Sequence, residues 1–118
     1  MSRTQINVRH AQPTSFELFA ELPALLATAA QPDDSRASQI EARFKLCGRI
    51  LDALPLASDE YLFARNWLTS AQNLWSRGDG HVARFQVLQI LRRLKGELCA
   101  AADRERKQHA DIRICPRD

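Results

Sequence analysis

Residues 58–98 read SDEYLFARNWLTSAQNLWSRGDGHVARFQVLQILRRLKGEL, and the period of their apolar side chains decides the fold. Phe63, Ala64, Trp67, Leu68, Ala71, Leu74 and Trp75 recur at steps of three and four, which gathers them on one broad side of a helix. Arg65, Asn66, Thr69 and Asn73 take the wet side. Ser58 offers a hydroxyl cap, and Asp59 and Glu60 follow in the first turn, where the helix dipole favours acids. Arg77 and Gly78 give a basic last turn and a glycine suited to a left-handed C-cap. Asp79 then caps a further helix, expected to run unbroken from about Gly80 to Gln108. Val87, Leu91, Leu94, Leu98 and Ala101 keep the four-three spacing through it, with Gln86, Gln89, Arg92, Arg93 and Arg104 on its far side. Its last turns, Asp103 to Lys107, are wholly polar and are expected to project or fray.

Working back from there, Ile40, Phe44, Cys47, Leu51 and Leu54 predict a second amphipathic helix from about Asp34 or Ser35 to Leu54, closed by Pro55. Leu46 and Ile50 form a flanking stripe on it, so that helix is expected to touch two neighbours. Earlier still, Thr14 and Glu17 match a capping box at the head of a helix that buries Phe16, Phe19, Leu22 and Leu26 and reaches about Ala29. Pro23 inside it removes a backbone donor and is expected to kink or divide it. Gln31 to Asp34 reads as a loop. Residues 1–13 read as a flexible arm, residues 14–108 as the bundle, and residues 109–118 as a C-terminal tail stopped by Pro116. The fold class is therefore all-α: one up-down bundle of about four helices, the first short and kinked.

Composition agrees with one helical domain. The chain has 118 residues, of which 45% are hydrophobic and 26% charged, with only four Gly and five Pro. The net charge of +3 is unevenly placed. Residues 1–76 hold seven basic and eight acidic side chains, whereas residues 77–118 hold ten and six. No acid lies between Asp79 and Glu97, while Arg84, Arg92, Arg93 and Lys95 do. Such a segment suits an acidic partner, and its outer face is also what any bundle helix shows to water.

Cys47, Cys99 and Cys115 are odd in number and form no C-x-x-C pair, which favours a reducing cytoplasm. Leu22 to Ala30 resembles the apolar core of a signal peptide, but Glu17 and Glu21 stand just upstream, where such a peptide carries no acids. No run approaches the ~20 apolar residues of a membrane span. His10, His81 and His109 are scattered, and no metal, cofactor or catalytic spacing accompanies them, so neither enzyme chemistry nor a cofactor is expected. Arg77-Gly78-Asp79 spells an integrin-binding tripeptide, here read as a helix end followed by a cap.

Trp67, Ala71, Leu74, Gly78, Asp79 and Ala83 together resemble a single tetratricopeptide-type hairpin, a match of about thirty residues. That family implies stacked copies, about three or more, and no second copy stands upstream. The same residues are what any tight helical hairpin requires. The expected function is a non-enzymatic interaction module (an adaptor, chaperone-like protein or regulatory subunit) that binds a protein partner or itself through Trp67, Trp75, Leu46 and Ile50, and self-association as a homodimer or other homo-oligomer is expected. The alternative is a nucleic-acid-binding regulator using Gln89, Arg92, Arg93 and Lys95.

Overall fold

The computed structural model describes residues 12–28 and 35–114, with side chains as far as Gln108. Among these residues it is all-helical: α1 (Ser15–Thr28), α2 (Ala37–Ala53), α3 (Ser58–Ser76), α4 (Gly80–Arg93) and α5 (Lys95–Ile114). Most of the N-terminal arm, the loop at 31–34 and Cys115 lie outside the described residues. Helices α1 to α4 form a closed ring in which each packs against the next and α4 returns to α1, while α5 lies mainly on α1.

The capping box at the head of α1 forms as expected. Glu17 Oε1 accepts the Thr14 N–H at 2.9 Å, and Thr14 Oγ1 accepts the Glu17 N–H at 3.3 Å. Pro23 does not divide α1; it is buried within an unbroken helix beside Phe19, Leu22 and Leu26. An intact α1 has the length to pack along α2, α4 and α5 at once. At its far end the Arg36 guanidinium reaches the Thr28 carbonyl at 3.3 Å and its hydroxyl at 3.1 Å, a cation where the helix dipole is negative. Arg43 on α2 pairs with Glu21 on α1 at 2.8 Å.

The core is built from the predicted stripes. Ile40, Phe44, Cys47 and Leu51 of α2 meet Ala64, Leu68, Ala71 and Trp75 of α3, with the Phe44 and Trp75 rings 6.2 Å apart. Ala71 and Ala83 are both fully buried, small residues that let two helix backbones approach. Leu54, held extended by the following Pro55, ends α2.

The α3–α4 turn is a Schellman motif around Gly78, whose φ of 93° excludes most other residues. The Asp79 N–H donates to the Leu74 carbonyl at 2.8 Å and the Gly78 N–H to the Trp75 carbonyl at 3.0 Å. The expected side-chain caps differ. Ser58 is already inside α3, whose N-cap is Ala57, and Asp79 holds the N-cap position of α4 without a side-chain bond.

The largest departure is in the long last helix, which breaks at Leu94 into α4 and α5. Leu94 and Leu98 both keep their backbone bonds four residues back, so the break is a bend and not a loop. Exposed Gly96 stands next to it, with open space where a Cβ would sit, which weakens the helix there without serving any packing. The bend turns Leu98, Ala101 and Ala102 into the core, and α5 continues to Ile114, past the end expected at Gln108. Nor do the polar turns from Asp103 fray: half-buried Glu105 bonds to Ser15 at the head of α1.

Candidate aromatic–arginine cleft

Three large apolar side chains stand exposed among the described residues: Leu62 at 57%, Val82 at 49% and Phe85 at 58%. None belongs to α2, where the sequence suggested an uncovered stripe. Ile50 is buried in the core, and Leu46 is half-buried against it. Helix α2 packs against both α1 and α3, which accounts for so apolar a helix. Trp75, another expected partner residue, is only 1% exposed and anchors the core.

Trp67 is half-buried against the core, as Leu46 is, but one side of it borders an open cleft, and that cleft defines the site. The Trp67 ring lies 5.1 Å from that of Phe63, one turn earlier on α3. The Arg93 guanidinium of α4 sits over the Phe63 ring, 4.4 Å from its centroid, where the ring quadrupole attracts a cation. Arg93 also bonds to Glu60 at 3.3 Å. With Gln89 and Arg92, these aromatics line an open cleft of about 440 Å³ between α3 and α4. Val82 and Phe85 stand at helical spacing from Gln89 on the same side of α4, extending the face toward the Gly78 turn.

The cleft thus unites residues from both sets of candidates: Trp67 from one, Gln89, Arg92 and Arg93 from the other. Lys95 is separated from them by the bend at Leu94 and stands exposed at the start of α5. Phe63, Val82 and Phe85 were missed as site residues. A usable signal existed: Phe63 and Arg93 lie equally far along the chain from Gly78, as do Trp67 and Gln89, so a tight antiparallel hairpin brings each pair together.

Among the described residues no group of three or more His, Cys, Asp or Glu side chains converges, and no described helix is long and apolar enough to cross a membrane. Buried Cys47 has its thiol pushed up to about 12 by burial, against the opposing pull of the Arg43 charge. The tetratricopeptide-type residues form one hairpin, with Ala71 and Ala83 at its crossing, and no second such hairpin precedes it among the described residues. No protein family, no curated protein and no solved structure matches this chain.

Proposed function

We propose that this chain is a non-enzymatic helical interaction module whose α3–α4 face receives an acidic, amphipathic segment of a partner protein. The observation that carries this reading is the convergence of Phe63, Trp67, Gln89, Arg92 and Arg93 on one open cleft. Aromatic and arginine side chains are the residues that concentrate binding energy at protein interfaces, because they bury much area while keeping a polar or cationic edge. Phe85 and Val82 extend the apolar part of the face. The charge argues for a different chain and against a second copy. Arg92 and Arg93 line the cleft, and the acid beside them, Glu60, is already paired with Arg93, so two such faces brought together would set arginine against arginine, whereas a partner's carboxylates suit Arg92.

The Phe63–Trp67 pair also favours a second reading, a platform for stacked bases of a single-stranded nucleic acid, with arginines on its backbone. One experiment separates the two. Trp67 fluorescence and anisotropy are followed against a Leu/Glu amphipathic helical peptide, its Leu/Lys counterpart and oligouridine, at two salt concentrations. Binding of the Glu peptide alone, weakened about tenfold or more by Arg92→Ala or Trp67→Ala, supports the module. Oligouridine binding with a steep salt dependence moves the function to nucleic acid. If none of the probes binds, or if sedimentation shows a dimer that buries this face, the proposal falls.

A further inference from the structure

On the other side of α3, a second cleft of about 300 Å³ opens between α2 and α3, within the range of small-molecule sites. Its polar walls are Lys45, Arg49 and Asp52 from α2 and Arg65, Thr69 and Gln72 from α3. Three cations therefore face a single carboxylate, and that carboxylate accepts the Tyr61 hydroxyl at 2.5 Å. Neither Lys45 nor Arg49 forms an ion pair among the described residues. Lys45 and Arg49 are exposed and Arg65 is half-buried, and like charges around one concavity add their fields at its opening.

The seat of Arg65 is specific. Gly48 is buried in the middle of α2, where a glycine weakens the helix, and its missing side chain is where the Arg65 guanidinium rests. A Cβ at Gly48 would collide with Arg65 Nη1, whereas the nearest other side chain, Leu68, lies at an ordinary 4.0 Å. The glycine thus serves the arginine and not the packing of the two helices. The half-buried guanidinium enters the notch at Gly48 tip first through Nη1 and stands beside the Tyr61 hydroxyl, so its position is fixed while a five-donor group keeps further N–H bonds for an oxyanion. The Thr69 hydroxyl and Gln72 amide add neutral donors beside it.

We infer that the α2–α3 cleft is a binding site for a phosphoryl group carried by a small soluble molecule, held by Arg65, Lys45 and Arg49. The one aromatic ring of the lining, Phe44, is buried in the core, so the cleft has no platform for a nucleobase. The ligand is inorganic phosphate or a non-aromatic ester such as a sugar phosphate.

The test is an amide NMR titration of the full chain with inorganic phosphate and, separately, ribose 5-phosphate, with chloride holding the ionic strength constant. Saturable shifts centred on Gly48, Arg65 and Thr69 are expected, with affinity at least about tenfold lower in Arg65→Gln. Gly48→Ala is the second variant. Only the flexible end of Arg65 must move to admit its methyl, so the fold persists while binding weakens in the same way. Tighter binding of the sugar phosphate identifies an ester as the ligand, and equal binding identifies phosphate itself. Shifts that never saturate, or wild-type affinity in both variants, overturn the inference.

Discussion

Glu105 on α5 holds Ser15 at the head of α1 with both carboxylate oxygens, accepting its backbone N–H at 2.8 Å and its hydroxyl at 2.5 Å. The first N–H groups of a helix have no partner within it, and the dipole there is positive, so a carboxylate is the natural acceptor. This contact joins the last helix to the first, and it rests on a residue that looks like part of a wet, unsupported turn.

Glu105→Ala is expected to lower unfolding stability by about 1–2 kcal/mol, the usual cost of leaving charged hydrogen bonds unmade. Glu105→Gln retains an acceptor and loses less. Chemical denaturation gives both values, and hydrogen exchange of the amides around Leu98 to Ala102 is expected to quicken in the alanine variant. Unchanged exchange would show that α5 is held by its apolar contacts alone.

The two tryptophans separate core from surface. Trp75→Ala empties a fully buried site between α2 and α3 and is expected to cost about 3–5 kcal/mol, a large share of the stability of a domain this size. Trp67→Ala, at the rim of the cleft, is expected to cost about 1 kcal/mol and to spare the fold. Thermal melts of both variants test the pair, and equal losses would place Trp67 in the core.

The cysteines give a check on burial. Exposed Cys99 is expected to react with iodoacetamide at pH 8, whereas Cys47, with its thiol pushed up to about 12, stays unmodified until the chain unfolds. Peptide mass mapping distinguishes the sites. The sign for stability follows from the raised value. In the unfolded chain the thiol ionises near its ordinary value, so the contribution from keeping Cys47 neutral is complete below about 9. It is lost as pH rises toward 12. A Cys47→Ala variant is expected to show a shallower decline in stability over that alkaline window.

Much of the fold was legible because periodicity reports faces directly. The stripe from Ile40 to Leu54 is the buried side of α2, and Gly78 turns the chain where a left-handed residue was needed. The break at Leu94 was hidden because the apolar spacing from Val87 to Ala101 passes through it without interruption, and Gly96 alone marks it. Ser58 shows a different limit: a hydroxyl near a helix start is a cap only if the backbone leaves it just outside, and here it falls inside. The site was half legible. Trp67 and Arg92 were singled out for unrelated reasons, since a face carries no record of its neighbour, and only the hairpin register unites them. The α2–α3 cleft left one clue, Gly48 in mid-helix, whose meaning depends on an arginine from the next helix.

The Gly78 turn has a consequence for how the molecule is made. It joins α3 to α4 through a few residues, whereas the Ser15–Glu105 bond spans a sequence separation of 90. Closing a short loop sacrifices less chain entropy than closing a long one, so contacts local in sequence form early and the remote ones late. The hairpin bearing Trp67 and Arg92 is therefore expected to form early, and the union of α1 with α5 late, an order that pulsed hydrogen exchange during refolding would test. The face proposed for a partner is thus expected to take its shape before the remote helices close around it.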